Sequence, residues 1–120
     1  DVHDALKRRC LYHWVDHPGF DREVAIVKLR VPDISTVLAR QVAGAVEALR
    51  EMQLYKPPGI AETIDWATAL GKLGAQELNE AFVDSTLGAV LKYREDHARV
   101  RETGVNALVK QALERGAFHG

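Results

Sequence analysis

Helical periodicity dominates this chain after residue 20 and leaves one short strand-like run near the start without a partner. The run is Cys10–Val15, CLYHWV, and the turn-forming stretch DHPG closes it. A single strand leaves its backbone N–H and C=O groups unpaired. We therefore interpret the chain as a piece of a larger protein, in which residues 1–19 end an upstream sheet and residues 20–120 form a helical domain.

The composition and the charge narrow the functional class. The 120 residues are enough for one domain with a modest core, and 47% of them are hydrophobic. A net charge of −1 provides no broad positive field, so neither nucleic acid nor a membrane surface is expected as a partner. No apolar run approaches the ~20 residues of a membrane span. The single Cys excludes an internal disulfide and suits a reducing compartment, so we expect a cytoplasmic location.

Five segments after residue 20 have apolar residues at helical spacing. Asp21 is placed to cap the first of them, and Pro32 ends it, because proline disfavours helical geometry in the preceding residue. Gly74 and Gly116 are expected to end two later helices. We expect a mainly α fold, a bundle of four or five helices preceded by one short orphan strand. The predicted helices are Phe20–Val31, a second from the capping stretch 33–36 to about Met52, Ile60–Leu73, a fourth that is capped by Asn79 and includes Leu91, and Glu95–Arg115.

Three blocks of the sequence resemble a known family. They are DALKRRCLYHWVDHPGFDREVAIVKLRVP at residues 4–32, LYKPPGIAETIDWATAL at 54–70 and VDSTLGAVLKYRED at 83–96. Together they are similar to the C-terminal part of an AAA+ ATPase, and more specifically to a bacterial MoxR-like subgroup. In that fold the last strand of a parallel sheet leads into a small helical lid, so the resemblance implies a lid-type bundle here.

The resemblance also implies an activity for the parent protein. It would be a ring-forming ATPase that binds ATP and Mg²⁺ and remodels or matures protein clients in a chaperone-like way. Its partners would be neighbouring subunits of a homo-oligomeric ring and protein clients, in some cases with a von Willebrand factor A domain. No G-x-x-x-x-G-K-[ST] phosphate loop occurs in this sequence. We therefore expect the fragment alone to hold no nucleotide and to be inactive.

Two adjacent arginines are the candidate catalytic residues. In the family pattern an arginine just before the last strand reaches the ATP of the neighbouring subunit, where its planar, permanently charged guanidinium stabilises the transferring phosphoryl group. Arg9 is the preferred finger and Arg8 the second choice. The alternative is that both merely complement the negative end of a helix dipole and face water.

The resemblance points to Glu62, Tyr55 and Lys56 as nucleotide-binding candidates. Glu62 lies where many AAA+ lids carry a phosphate-sensing arginine, and Lys56 could supply the missing positive charge. Tyr55 would line an adenine pocket beside Pro57-Pro58. The alternatives are that Glu62 complements the start of its helix and that Tyr55, like Trp66, packs in the core.

Other functional classes remain open on the residues alone. The five His and one Cys include no pair at zinc-ligand spacing on a predicted helix, so no metal site is expected. The leading alternative to the ATPase lid is a helical protein-interaction module without a nucleotide role, which would dock a partner through its apolar stripes. A helical nucleic-acid binder is disfavoured because acidic residues alternate with the basic ones on each helix.

Overall fold

The computed structural model describes residues 18–118, and this part of the chain is helical with short connections. It confirms the mainly α class. The expected strand Cys10–Val15 lies outside the described residues. The helices are α1 (Phe20–Arg30), α2 (Thr36–Glu51), α3 (Ile60–Lys72), α4 (Glu80–Val90), α5 (Arg94–Thr103) and α6 (Val105–Phe118).

Helix α2 lies at the centre of the bundle and packs against α1, α3 and α6. Its contact with α6 is close because glycines face each other. A Cβ atom on Gly44 would lie 3.0 Å from Arg115 Cβ, and one on Gly116 would lie 3.3 Å from the Arg40 backbone. The missing side chains therefore let the two backbones approach, and Arg40 Nε donates to the Gly116 carbonyl at 2.7 Å.

Most of the predicted helix ends are confirmed. Ser35 Oγ accepts from the Leu38 amide at 3.0 Å, and Asn79 caps α4 in the same way. Gly74 has φ +74° and follows the end of α3, a left-handed conformation that glycine adopts without a steric penalty. The prediction for Asp21 is wrong, because Gly19 is the N-cap of α1 and no side chain caps it.

The prediction of a single last helix is also wrong. The segment expected to form one helix, Glu95–Arg115, contains two, α5 and α6, so residues 18–118 hold six helices rather than four or five. Gly104 separates them with φ +108°, a region that L side chains rarely adopt. Gly116 does not end the last helix. It lies inside α6, where its lack of a side chain serves the contact with α2.

Two of the aromatic residues expected in the core, Trp66 and Tyr55, lie in the described part of the chain and differ in their burial. Trp66 is fully buried in the apolar cluster shared by the helices, and its Nε1–H donates to Thr86 Oγ1 at 2.7 Å. Tyr55 is not a core residue, because 78% of it is exposed. It lies in the connector between α2 and α3, and that connector organises the candidate site.

Candidate functional site

The candidate catalytic pair, Arg8 and Arg9, lies outside the described residues. The three candidate nucleotide-binding residues lie close together in the chain, in the connector 52–59 and the first turn of α3. Each is placed there by a different contact.

The carboxylate of Asp96 holds the middle of the connector. Its Oδ1 accepts from the Tyr55 amide at 2.6 Å and its Oδ2 from the Lys56 amide at 2.9 Å. Asp96 lies in the first turn of α5 and is only 2% exposed. Hydrogen bonds from backbone N–H groups to an ionised carboxylate are stronger than those between neutral groups. The first turn of α5 and the connector are therefore fixed to each other.

The end of the connector is held where α3 begins. Glu62 Oε1 accepts from the Gly59 amide at 2.9 Å, and this contact satisfies a donor at the helix start. Arg50 Nε donates to the Pro58 carbonyl at 2.8 Å. The structure thus shows Glu62 complementing the start of its helix, as the alternative interpretation predicted.

A buried ion pair lies behind this end of the connector. Glu23, which is 2% exposed, accepts two bonds from Arg50 at 2.8 and 2.9 Å. Thr63 Oγ1 lies 2.8 Å from Glu23 Oε2 and 3.0 Å from the Gly59 carbonyl. These bonds join α1, α2 and α3, and both carboxylate oxygens are satisfied. Such pairing allows the charge to be buried.

An exposed aromatic pair lies on the outer side of the connector. The Tyr55 and Tyr93 rings meet edge to face, with centroids 5.1 Å apart and an interplanar angle of 89°. Both rings remain open to solvent, Tyr55 at 78% and Tyr93 at 42%. Lys56 follows Tyr55 in the chain and is also exposed. The site therefore presents two aromatic rings and a cation from a fixed backbone.

A cavity of about 290 Å³ lies where the end of α2 meets the break between α5 and α6. Its lining is mostly apolar but includes Arg115, which bonds to Glu51 at 2.7 and 2.9 Å and to Glu47 at 3.0 Å. The bonds with Glu51 raise the pKa of Arg115, and the bond from Arg115 lowers the pKa of Glu51. Because its guanidinium is already paired, Arg115 is a poor candidate for binding a phosphate group.

Residues 18–118 contain no group of three or more His, Cys, Asp or Glu side chains that could hold a metal ion. His97, the one histidine among them, has its Nε2 2.8 Å from the Leu91 carbonyl. A carbonyl only accepts, so Nε2 carries the proton. His97 thereby ties the end of α4 to the start of α5.

Sequence reasoning found the connector and missed the residues that fix it. The resemblance points to Tyr55, Lys56 and Glu62, whereas Tyr93 and Asp96 lie in its third block, at residues 83–96, and no role is predicted for them. A signal was present: Asp96 is an acid in the first turn of a helix, a position that favours bonds to free amides. Nothing in the sequence indicated that those amides would belong to a different segment, 40 residues away.

Comparison with known proteins gives no match: no protein-family model, no curated protein and no solved structure is significantly similar to this chain. Within the described part, no helix is both long and apolar enough to cross a membrane. The helices define the class of the fold, which is an all-helical bundle over residues 18–118.

Proposed function

We propose that this chain is the C-terminal lid portion of a MoxR-like AAA+ ATPase whose parent protein hydrolyses ATP to remodel or mature protein clients. The observation that supports the proposal best is an agreement between sequence and fold. The three resembling blocks require a helical domain after residue 20, and residues 20–118 form six helices joined by short connections. The cytoplasmic location and the ring assembly belong to the same proposal.

The internal contacts suit a lid that moves as one body. The Glu23–Arg50 pair joins α1 to α2, and Asp96 joins α5 to the connector. A lid of this kind would rotate against the ATPase core without changing its own structure, since packed interiors resist continuous deformation. In this proposal Arg9, or failing that Arg8, reaches the ATP of the neighbouring subunit.

Contacts from the lid to nucleotide remain a prediction. The Glu62 carboxylate is bonded to the Gly59 amide, so it is a weak substitute for a phosphate-sensing cation. Tyr55 and Lys56 have exposed side chains, and they are the two candidates that remain available to ATP. The proposal does not depend on them, because the finger role of Arg9 concerns a different subunit's nucleotide.

The experiment uses the longest natural polypeptide that contains these 120 residues. We expect it to hydrolyse ATP, and we expect Arg9→Ala to reduce turnover by about 10³-fold or more, the range known for arginine fingers, with ATP affinity unchanged. Lys72→Ala, which removes an exposed cation at the end of α3, is the matched control. Normal turnover in Arg9→Ala and Arg8→Ala would remove the finger assignment. Absence of ATP binding in the polypeptide would remove the ATPase proposal.

A protein-interaction module without a nucleotide role is the second candidate. The exposed Tyr55–Tyr93 pair favours it, because two large rings left in solvent are typical of contact surfaces. The two candidates differ in one requirement. Only the ATPase proposal requires ATP to bind to the longer polypeptide.

A further inference from the structure

The strongest unassigned surface is an aromatic and basic patch, made of the Tyr55–Tyr93 pair and the cations beside it in the chain. Lys56 follows Tyr55, and Lys92 and Arg94 flank Tyr93; all three cations are exposed. Each cation is adjacent in the chain to one of two rings that contact each other, so the five residues make up one aromatic and basic group. We call it the tyrosine patch.

The cations of the tyrosine patch have no anionic partner in the described part of the chain. No carboxylate among residues 18–118 lies within ion-pair distance of them. Lys92 Nζ has only a 3.3 Å contact with the Ala89 carbonyl. Two acids follow Arg94 in the chain. Glu95 is exposed, and the carboxylate of Asp96 is buried and bonded to two amides. The patch is therefore positive in a chain whose net charge is −1.

The backbone of the tyrosine patch is fixed before any partner arrives. The Asp96 carboxylate accepts hydrogen bonds from the backbone amides of Tyr55 and Lys56. Tyr93 is the N-cap residue of α5. Tyrosine has only two side-chain torsions, so little conformational entropy is lost when it becomes a contact residue. A rigid aromatic pair bordered by cations is the composition typical of interface hot spots.

We propose that the tyrosine patch binds an acidic segment of a partner protein, with the partner's carboxylates facing the three cations and an apolar side chain packing on the two rings. Charge complementarity selects this occupant. Nucleic acid is disfavoured, because its affinity depends on many phosphate contacts and a wide positive field, whereas the tyrosine patch offers three cations. The inference does not require the ATPase role, and it assigns Tyr55 and Lys56 to a protein partner in place of a contact with ATP.

The test uses the 120-residue chain and a fluorescein-labelled peptide of glutamates around one central phenylalanine. Fluorescence anisotropy should show saturable binding that weakens as salt is added. The double charge reversal Lys56→Glu/Arg94→Glu should weaken it by about tenfold or more, because several attractive pairs become repulsive. Tyr55→Ala/Tyr93→Ala should weaken it as well, with the salt dependence retained.

Lys72→Glu is the control. It reverses one charge, where the double variant reverses two, at the far end of α3, a 13-residue helix that places it roughly 18 Å from the connector. It should bind the peptide as the unaltered chain does, and circular dichroism should show all variants folded. Equal binding by Lys56→Glu/Arg94→Glu and Lys72→Glu would overturn the inference. So would displacement of the peptide by ATP or by a single-stranded oligonucleotide at lower concentration than unlabelled peptide.

Discussion

At the scale of single residues, the Glu23–Arg50 pair determines where the connector lies. Arg50 uses two nitrogens for Glu23 and its Nε for the Pro58 carbonyl. Its side chain is 11% exposed and that of Glu23 is 2% exposed. Removal of one partner would leave the other charged and poorly solvated, and that loss is larger than the net stabilisation provided by the pair.

This asymmetry predicts the outcome of a mutant cycle. Arg50→Met should lower the free energy of unfolding by about 3–5 kcal/mol, because a buried carboxylate loses its partner. The double variant Glu23→Leu/Arg50→Met should lose less than Arg50→Met alone, since both charges are gone. Urea unfolding of the single and double variants provides the measurement. A double variant as unstable as the sum of the two single variants would contradict the account.

A second residue-level prediction concerns pH. The hydrogen bond from Arg115 lowers the pKa of Glu51 below its ordinary value of 4.5. A carboxyl group with a lowered folded-state pKa contributes stability above its unfolded pKa, and this contribution is lost as the pH falls through the folded value. The pKa of Arg115 is raised, so its charge persists throughout this window.

Carbon-13 NMR titration of the side-chain carboxyls measures this directly. Arg115→Met should return the pKa of Glu51 towards 4.5 and remove the acid-side loss of stability due to this group. Arg101→Met is the control, because Arg101 pairs with Asp84 at the surface and has no bond to Glu51. An unchanged titration of Glu51 in Arg115→Met would contradict the assigned cause.

At the scale of elements, the break between α5 and α6 is the feature that periodicity could not reveal. Val100, Leu108 and Ala112 are apolar residues at spacings that fit one continuous helix, and an isolated glycine is tolerated inside a helix. Only the backbone angle at Gly104, φ +108°, shows that the chain turns there. The caps at Ser35 and Asn79 were predictable because their signals are local and chemical.

Two glycine-to-alanine substitutions compare a glycine that has a positive φ with one that lies inside a regular helix. Gly104→Ala should destabilise the fold by about 1–3 kcal/mol, because its φ is unfavourable for L residues and the new Cβ would lie 2.9 Å from Asn106 Oδ1. Gly71→Ala, within α3 and with open space around its Cβ, should stabilise by about 0.5–1 kcal/mol. Thermal or urea unfolding provides the comparison. Equal effects of the two changes would contradict the assigned role of Gly104.

At the scale of the whole molecule, the sequence predicts the class of fold and the place of the connector. It does not predict the long-range contacts that hold the connector and the helices together. Asp96 meets the Tyr55 amide across 41 positions, and Arg50 meets Glu23 across 27. Local patterns carry no information on such distant pairings, which arise only when the helices pack. Tyr55 was expected in the core for the same reason: a large aromatic residue predicts burial, and only packing shows that the rings of Tyr55 and Tyr93 remain outside.

The proposed lid of a ring ATPase is tested most directly by subunit complementation in the longer polypeptide. Subunits with Arg9→Ala would keep a nucleotide site but lack the finger, and subunits with an altered phosphate loop would keep the finger but lack the site. Each should be inactive alone, and the mixture should regain ATP turnover, because the proposal has Arg9 of one subunit act on the ATP of the next. Turnover that stays at background in the mixture, or full activity of Arg9→Ala alone, would contradict the account.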